Sequence, residues 1–487
     1  MKLGALAEAA GIRLAGGADC NVTGFAIDNR KVAPGTVFGA FQGAAVNGED
    51  FIPAAVQAGA VAIVARPEAS VAGAIHIADA APRRAFARLA AQFFSPVPET
   101  IAAITGTNGK TSIAELTRQL WRMAGHHAAS IGTLGVTTAD GSIATGLTTP
   151  DIVTFLANMA GLAREGVTHV AYEASSHGLS QFRNDGLRVR AGAFTNLSRD
   201  HLDYHKDMAD YFAAKMRLFD EVVEPGGTAV VWADDAWSAA AIERARTRGL
   251  RLVTVGENGE AIRLLARTPS PLGQVLEIEH GGVRRTINLP LIGAYQAANA
   301  LVAAGLVIAC GGDAGATFDA LARLQPVRGR LERAAISRSG APVYVDYAHT
   351  PDALEAAIAA LRPHVGGAGA GKLIVVFGAG GDRDTGKRAP MGEVAVALAE
   401  LVIVTDDNPR GEDPAAIRRA ILSGAHGARE VADRREAIAT AVAAAGRHDV
   451  VLVAGKGHEQ GQIVGRGDAM RVLPFDDVAV ARECARL

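Results

Sequence analysis

A short segment of this chain combines glycines, a lysine and two hydroxyls in an order suited to binding phosphate. It reads Gly-Thr-Asn-Gly-Lys-Thr-Ser at 106–112, after the apolar run 101–105 and before a helix-forming stretch. A strand, a glycine-bearing loop and a helix form the context of a P-loop. There Lys110 would reach the terminal phosphates and Thr111 would meet Mg²⁺. The segment predicts binding of a nucleoside triphosphate, although Ile104 stands where the P-loop pattern has its first glycine.

Polar clusters also follow the next two predicted strands. The run 167–173 ends in Glu173, and the run 191–196 leads into a segment rich in histidine and aspartate, 197–205. In open parallel sheets, ligands bind outside the carboxyl ends of the strands. A carboxylate at such an end, beside a phosphate loop, is well placed for Mg²⁺. Polar clusters at three consecutive strand ends are hard to explain by packing, so we interpret this edge as a nucleotide and metal site.

The elements that must position these residues follow from a regular alternation. From about residue 99, short β-branched runs alternate with alanine-rich stretches of helical period, which is typical of parallel α/β architecture. Proline and glycine breaks lie at 95–100 and 324–332, and the 487 residues suit about three domains. A glycine-rich stretch at 366–372 is expected to be a surface loop. We predict an α/β protein with a small mixed N-terminal domain at 1–97, a central P-loop-type parallel-sheet ATPase domain at 98–328 and a Rossmann-like domain at 329–487.

The composition excludes several classes of protein. Forty-nine Lys and Arg against 51 Asp and Glu leave a net charge of -2, so no global field is available to bind nucleic acid. No apolar run approaches the ~18 residues of a membrane helix, so we expect no membrane insertion. Three scattered cysteines suit neither a disulfide framework nor a CxxC metal site. We expect a cytoplasmic protein and a monomer.

The motifs together resemble one family. They occur in order and cover nearly the whole chain: GTNGKTS at 106–112, YEASSHGL at 172–179, TNLSRDHLDYH at 195–205, AKMRLF at 214–219, DYAHTPDAL at 346–354, GAGGDRDTGKR at 378–388, DDNPR at 406–410 and GKGHE at 455–459. They are similar to the motifs of the Mur ligases, which build the peptide of bacterial cell-wall precursors. The resemblance implies that ATP phosphorylates a carboxylate to an acyl phosphate, which the amine of an incoming amino acid attacks. The protein would then position the reactants and neutralise charge.

The resemblance also implies the residues that bind ATP and metal. The expected phosphate contacts are Gly106, Thr107, Asn108, Gly109, Lys110, Thr111 and Ser112. The expected contacts to the rest of ATP are Asn299, Arg330, Asp346 and His349. The expected catalytic residues are Lys110, Glu173, His201 and Lys215, and the expected Mg²⁺ ligands are Thr111, Glu173, His201 and Lys215. Lys215 matches the lysine that becomes N6-carboxylysine in this family, where a carbamate replaces a cation by an anionic oxygen ligand. Two positions depart from the usual pattern, since Gln296 replaces an asparagine and Arg328 replaces a proline.

The last domain carries the residues expected to bind the incoming amino acid. Strand-like runs at 343–346, 373–377, 402–405 and 450–454 are each followed by a polar motif. GAGG at 378–381 would need glycine where Arg383 stands to be a dinucleotide fingerprint, so NAD is disfavoured. Arginines, carboxylates and an amide suit a zwitterion. The expected contacts are Arg383, Asp407, Asn408, Pro409, Arg410, Gly455 and Glu459.

The resemblance further indicates the substrates. Asp-Asn-Pro-Arg at 407–410 resembles the signature for meso-diaminopimelate, and lysine-adding members differ at the position of Arg410. The sugar-nucleotide substrate would be UDP-MurNAc-L-Ala-D-Glu, with expected contacts at Asn29, Thr148, Thr149, Ser176 and Arg183. Asn29 itself stands where serine is commoner. Three alternatives stay open: a ligase that adds lysine or another amino acid, a folylpolyglutamate-type enzyme, and a nucleotide-binding protein that has lost turnover.

Overall fold

The computed structural model describes residues 1–43, 46–143, 148–202, 204–270, 273–366 and 371–486. The chain folds as two compact units, of which the first is Met1–Arg263 with Leu301–Thr317 and the second is Leu264–Ala300 with Phe318–Leu487. The three domain ranges expected from the sequence stay predictions. Most of the glycine-rich stretch expected to be a surface loop, 367–370, lies outside the described residues.

The N-terminal part of the first unit is a parallel sheet with helices packed against it. Its elements are α1 (Leu3–Ala10), β1 (Gly24–Ala26), β2 (Thr36–Gly39), α2 (Ile52–Gln57), β3 (Ala62–Ala65), β4 (Ile75–Ala78) and α3 (Pro82–Phe93). The strands lie in the order β1-β2-β3-β4, and each neighbouring pair is parallel. α3 begins at Pro82, whose fixed φ suits a first helical turn. It packs the ring of Phe86 edge-on to Phe25, with 5.4 Å between ring centroids.

A larger, mostly parallel sheet forms the rest of the first unit. Its strands are β5 (Thr100–Thr105), β6 (Ala128–Gly132), β7 (Gly135–Thr137), β8 (Ser142–Ile143), β9 (His169–Glu173), β10 (Val189–Phe194), β11 (Val223–Trp232) and β12 (Arg251–Gly256). Its helices are α4 (Lys110–Met123), α5 (Ile152–Arg164), α6 (Ser176–Ser180), α7 (Met208–Arg217) and α8 (Ser238–Thr247). The strands lie in the order β12-β11-β10-β5-β9-β6-β7-β8, and only the pairs that involve β7 are antiparallel among them.

The position of β5 explains why the polar clusters meet. β5 lies between β10 and β9, and every residue in it is buried, as expected for a strand covered on both faces. Because the three strands are parallel, their carboxyl ends lie side by side at one edge of the sheet. The structure thus confirms that these polar clusters lie at a common edge, but the three strands are not consecutive along the chain, because β6, β7 and β8 lie between β5 and β9.

The remaining elements follow along the chain. They are β13 (Ile262–Ser270), β14 (Gly273–His280), β15 (Val283–Leu289), α9 (Ala294–Ala309), α10 (Ala314–Ala320), β16 (Glu332–Ile336), β17 (Pro342–Asp346), α11 (Pro351–Leu361), β18 (Leu373–Phe377), α12 (Arg388–Leu398), β19 (Leu401–Val404), α13 (Pro414–Leu422), β20 (Arg429–Glu430), α14 (Arg434–Ala444), β21 (Val450–Ala454), β22 (Gly461–Val464), β23 (Arg471–Pro474) and α15 (Asp477–Arg486). Short 3-10 or π turns occupy Asn29–Lys31, Gly48–Phe51, Leu218–Val222, Leu321–Arg323, Arg362–His364 and Gly467–Ala469.

The second unit contains a sheet in the order β16-β17-β21-β18-β19-β20. β16 runs antiparallel to β17, and the other neighbouring pairs are parallel. β17, β18, β19 and β21 correspond, within one residue at either end, to the four strand-like runs expected from the sequence, which are confirmed. β22 and β23 form an antiparallel hairpin. No helix in the described part of the chain has the length and apolar character needed to span a bilayer.

Candidate active site

The phosphate loop leaves the end of β5 and enters α4 at Lys110. Gly106 has a φ of 142°, and a Cβ there would collide with the hydroxyl of Thr195, so only glycine fits. The loop is tied to the segment that follows β10, because Thr107 N donates to the carbonyl of Asn196 at 2.9 Å. Asn108 N donates to Asn196 Oδ1, also at 2.9 Å. These hydrogen bonds hold the loop in place at the start of a helix, where backbone N–H groups suit an anion.

Two lysines meet at the carbonyl of Gly106. Lys110 Nζ donates to this oxygen at 2.9 Å and to the Thr107 carbonyl at 2.8 Å, and Lys215 Nζ donates to the same Gly106 oxygen at 2.7 Å. Lys215 is 1% exposed, and its ammonium lies 4.3 Å from the centroid of the Tyr211 ring. Burial, and then the neighbouring Lys110, hold the pKa of Lys215 well below its ordinary value. A neutral buried amine is the form that can react with CO₂.

Glu173 is fixed at the end of β9, beside Ile104 in the register of β5. Its Oε1 accepts from Thr133 N at 2.7 Å and its Oε2 from Thr133 Oγ1 at 3.2 Å. A Cβ at Gly132 would collide with this carboxylate, so the glycine makes room for it. Glu173 is buried, and a carboxylate that accepts two hydrogen bonds keeps further lone pairs for a cation.

His201 lies on the loop after β10, in the left-handed backbone region with a φ of 55°. It is exposed, and its ring centroid is 4.9 Å from that of His177 and 6.1 Å from that of Tyr211. The Tyr211 hydroxyl lies 3.3 Å from Thr107 Oγ1 and connects α7 with the phosphate loop, and Ser198 N of the loop after β10 donates to the same Thr107 Oγ1 at 3.0 Å. Thr111 is buried in the first turn of α4.

The residues expected around Mg²⁺ therefore adjoin the phosphate loop from several sides. Among the described residues, no group of three or more His, Cys, Asp or Glu side chains could by itself hold a metal ion. The expected donor set differs from such a group, because it uses the Thr111 hydroxyl and a modified lysine. The buried amine of Lys215, whose pKa is lowered, and the buried carboxylate of Glu173 fit this chemistry.

Residues expected to bind the sugar-nucleotide peptide adjoin Glu173. Thr149 Oγ1 donates to the Glu173 carbonyl at 2.8 Å, and Arg183 Nη1 donates to the Thr149 carbonyl at 2.8 Å. Thr148 Oγ1 lies 3.1 Å from the hydroxyl of Thr133, which itself contacts the Glu173 carboxylate. The structure thus brings Thr148, Thr149 and Arg183 together at the end of β9.

Two other residues expected to bind this substrate have different surroundings. Ser176 begins α6, and its hydroxyl lies 2.9 Å from Nε2 of His205. His205 ends the motif at 195–205, but the sequence offered no reason to expect a role for it. In the structure its side chain is buried, with 3% of the residue's surface exposed. Asn29 is half-buried in the short turn Asn29–Lys31 of the N-terminal sheet region.

The second unit clusters the residues expected to contact the rest of ATP. Asn299 Nδ2 donates to Gln296 Oε1 at 3.1 Å, and Gln296 Nε2 donates to the Arg330 carbonyl at 3.0 Å. The glutamine that replaces the usual asparagine therefore links two of the expected contacts. The Arg330 guanidinium lies 4.6 Å from the centroid of the Tyr347 ring.

Asp346 and His349 extend this cluster at the end of β17. Asp346 Oδ2 accepts from Leu331 N at 2.7 Å and its Oδ1 from Ala348 N at 2.8 Å. Burial raises the pKa of Asp346, and Arg330 opposes this effect. His349 Nδ1 lies 2.8 Å from the carbonyl of Tyr347. Asn299, Arg330, Asp346 and His349 thus belong to one connected group.

Loops after β18, β19 and β21 form a second group in this unit. A Cβ at Gly378 would collide with the Thr405 carbonyl, and one at Gly381 with the Pro409 carbonyl, so the loop after β18 lies directly on the loop after β19. Gly455 has a φ of 116°, and a Cβ there would lie 2.7 Å from Asp407 Oδ2. The glycines allow three strand ends to converge on one place.

The charged residues of these loops line the convergence point. Arg410 has a φ of 50°, and its Nη1 donates to the Gly381 carbonyl at 3.0 Å. Burial, and then Asp407, raise the pKa of Glu459. Arg383 is exposed and Pro409 is buried. The arrangement places two carboxylates and a guanidinium at one sheet edge, as a zwitterionic ligand requires.

Asn408 is more constrained than the sequence suggested. Its Nδ2 donates to Glu459 Oε2 at 2.7 Å, while its Oδ1 accepts from Lys456 Nζ at 2.7 Å and from Ile463 N at 2.9 Å. A side-chain amide offers two donors and two lone pairs. A single N–H of Asn408 is therefore left for a ligand, and the rest of the amide holds the loops together.

The family of the chain follows from profiles that match most of its length. "Mur ligase family, catalytic domain" matches residues 21–104, "Mur ligase middle domain" matches 104–307, and "Mur ligase, glutamate ligase domain" matches 329–457. The chain belongs to the Mur ligase family.

The names of individual relatives specify the reaction and its substrates. A protein of Zymomonas mobilis subsp. mobilis called UDP-N-acetylmuramoyl-L-alanyl-D-glutamate--2,6-diaminopimelate ligase is 61% identical, covering 96% of this chain and 95% of its own.

Two further comparisons carry the same name. A Bradyrhizobium diazoefficiens protein is 54% identical, covering 94% of this chain and 93% of its own. A solved structure of a UDP-N-acetylmuramoyl-L-alanyl-D-glutamate--2,6-diaminopimelate ligase is 32% identical with a TM-score of 0.73, covering 99% of this chain and 98% of its own. The family and the α/β fold expected from the sequence are confirmed.

Proposed function

We propose that this protein is an ADP-forming acid–amino-acid ligase that adds meso-diaminopimelate to UDP-MurNAc-L-Ala-D-Glu, giving the UDP-MurNAc-tripeptide of peptidoglycan synthesis. The observation that carries the proposal is the 61% identity, over 96% of the chain, to a ligase named for both substrates. The loops after β18, β19 and β21 support it, because they bring Asp407, Arg410 and Glu459 to one sheet edge.

The reaction would proceed in two steps. An oxygen of the D-glutamate side-chain carboxylate attacks the γ-phosphorus of ATP, and ADP leaves. The amine of the incoming amino acid then attacks the carbonyl carbon of this acyl phosphate, and inorganic phosphate leaves. The loop N–H groups at 106–112 and the ammonium of Lys110 would stabilise the negative charge on the transferred phosphate. The phosphorylation supplies the leaving group that a free carboxylate lacks.

We propose four residues near the phosphate loop as the residues that would hold the metal. Thr111, Glu173, His201 and a carbamate on Lys215 would hold Mg²⁺, which neutralises phosphate charge when bound. The carbamate forms when the neutral Nζ attacks CO₂ and releases one proton. The lowered pKa of Lys215 favours this reaction, because its ammonium loses a proton more readily than that of an ordinary lysine. The modification would replace the repulsion between Lys110 and Lys215 by attraction.

The substrate contacts are assigned from the clusters described above. We propose Thr148, Thr149, Ser176, Arg183 and Asn29 for the sugar-nucleotide peptide, and Asn299, Arg330, Asp346 and His349 for the nucleotide. The guanidinium groups of Arg383 and Arg410 would bind carboxylates of diaminopimelate, and Asp407 and Glu459 its ammonium groups. The cytoplasmic location and the monomeric state stay predictions.

The decisive experiment measures phosphate release from ATP by the full chain. The assay contains Mg²⁺, UDP-MurNAc-L-Ala-D-Glu and one candidate amino acid at a time: meso-diaminopimelate, L-lysine, L-ornithine or L-glutamate. We expect sustained release only with diaminopimelate. Equal release with lysine would assign a different acceptor, and no release with any amino acid would favour a nucleotide-binding protein without turnover.

A further inference from the structure

A buried lysine stands behind the acceptor loops, and the proposed reaction gives it no role. Lys456 follows Gly455 at the end of β21, and its side chain is 0% exposed. Its Nζ donates to Asn408 Oδ1 at 2.7 Å and to the Gly461 carbonyl at 2.7 Å. The same ammonium lies 3.6 Å from Glu459 Oε2. Lys456 thus contacts two residues expected to bind the acceptor, and it joins the loop after β19 to the hairpin of β22 and β23.

These contacts determine which way the Asn408 amide points. An ammonium has only donors, so it can donate to the amide oxygen but makes no hydrogen bond with the amide nitrogen. Ile463 N, another donor, faces the same oxygen at 2.9 Å. The Asn408 nitrogen must therefore face Glu459 Oε2, to which it donates at 2.7 Å. The carboxylate of Glu459 is held between a neutral donor and a positive charge.

A purely structural explanation accounts poorly for a charged side chain at this position. Removing an ammonium from water carries a desolvation cost, and a methionine of similar length would fill a similar volume without this cost. The interactions that offset the cost come from the charge of Asp407, from the hydrogen bonds to Asn408 and Gly461, and from the charge of Glu459. The charge therefore acts mainly on the acceptor loops.

We propose that Lys456 is a positioning residue of the acceptor site, which orients the Asn408 amide and holds the Glu459 carboxylate where the ammonium of the incoming amino acid binds. The inference rests on the proposed function, because it concerns the same acceptor site. Lys456 touches no reacting atom in this role; it acts through the two residues that it contacts.

The test uses the full-length protein and steady-state phosphate release. Lys456→Met removes the donors and keeps the length of the side chain. We expect it to raise KM for diaminopimelate at least tenfold, with KM for ATP and for UDP-MurNAc-L-Ala-D-Glu within twofold of the wild type. Lys456→Gln keeps one N–H donor for Asn408 and should give an intermediate KM. Lys372→Met is the matched control, because Lys372 is an exposed lysine of the same unit, and it should change no KM.

A double-mutant cycle separates positioning from general support of the fold. Because Lys456 acts partly through the amide, Lys456→Met should raise KM by a smaller factor in the Asn408→Ala background than in the wild type, since coupled residues give non-additive effects. Additive effects, or an equal rise of all three KM values, would show a merely structural role and overturn the inference. An unchanged KM in both Lys456 variants would overturn it as well.

The outcomes also distinguish this inference from the proposed function. Wild-type protein without diaminopimelate-dependent release would overturn the proposed function, and with it the basis of the inference. If the wild type releases phosphate in response to diaminopimelate and the Lys456 variants have an unchanged KM for diaminopimelate, only the inference is overturned. If Lys456→Met does not fold, Lys456→Gln provides the same comparison.

Discussion

The ion pair between Arg434 and Asp477 offers a sharp test of how the acceptor loops are supported. The two residues begin α14 and α15, and their side chains are 1% and 0% exposed. Arg434 Nε and Nη2 donate to the two carboxylate oxygens of Asp477 at 2.7 Å each. Nη2 also donates to the Ala454 carbonyl at 2.9 Å, and Nη1 to the Asp406 carbonyl at 3.3 Å. Burial lowers the pKa of Arg434, but Asp477 more than offsets this and raises it.

Asp477→Asn keeps the shape of the side chain and removes its charge, which leaves the guanidinium buried without its closest counter-ion. Breaking a buried pair in this way costs about 3–5 kcal/mol. Asp407 Oδ2 lies 3.8 Å from Arg434 Nη1 and compensates in part, so we expect the lower end, about 3 kcal/mol. For a unit of this size, ~1 kcal/mol shifts Tm by about 2–4 °C. The transition of the second unit should therefore fall by about 6–12 °C.

Differential scanning calorimetry of the full chain measures this shift, with two controls. Arg435→Ala breaks the adjacent exposed pair with Glu483 and should lower stability by less than about 1 kcal/mol. The double variant Arg434→Met, Asp477→Leu replaces the pair by apolar groups and should recover most of the lost stability. A Tm of Asp477→Asn within about 2 °C of wild type would refute the reasoning, because it would mean that this buried guanidinium needs no carboxylate.

Three further results are expected. Arg410→Ala should raise KM for diaminopimelate by tens-fold, because a charged hydrogen bond contributes about 1.5–3 kcal/mol; steady-state kinetics with an unchanged KM would contradict the assignment. Lys215→Ala should reduce phosphate release nearly to background even at high bicarbonate, since the amine that forms the carbamate is gone, and retained turnover would remove the carbamate from the mechanism. Burial, and then His126, lower the pKa of His169 from 6.5 to about 4, so the unfolded chain binds more protons in this window. The stability contributed by the neutral imidazole is complete above about pH 6.5 and is lost as pH falls through about 4; an NMR titration of the His169 ring with a midpoint near 6.5 would contradict this.

The sequence predicted the parts of the fold that follow from periodicity and loop chemistry. Buried strands such as β5 and β18 appear as short apolar runs, and the glycines at 106–109 identify the loop between strand and helix. β16 was not predicted, because an antiparallel edge strand with half-buried residues lacks such a run. The spatial order of the strands follows from tertiary packing, which leaves no local pattern in the chain.

The sequence indicated which residues are candidates for the site, but it did not indicate how deeply they are buried or which groups they contact. Lys215 is one lysine on a helix, and nothing near it in the sequence predicts that it is 1% exposed beside a second lysine. Lys456 and Arg434 escaped notice for the same reason, since a basic residue after a strand or at a helix start is ordinarily solvated. Asn408 was expected as a ligand contact, whereas most of its amide is used within the protein. Burial of charge depends on which loops converge, and this is a property of the fold.

The close packing of the loops after β18 and β19 restricts how the choice of amino acid can change. Gly378 and Gly381 leave no room for a side chain against the carbonyls of Thr405 and Pro409. A substitution that reshapes one loop must displace the other, so its effect depends on which residues the second loop carries. A library that varies one loop at a time would mostly sample misfolded acceptor sites. Redesign for another amino acid should exchange 378–383 and 405–412 as one block.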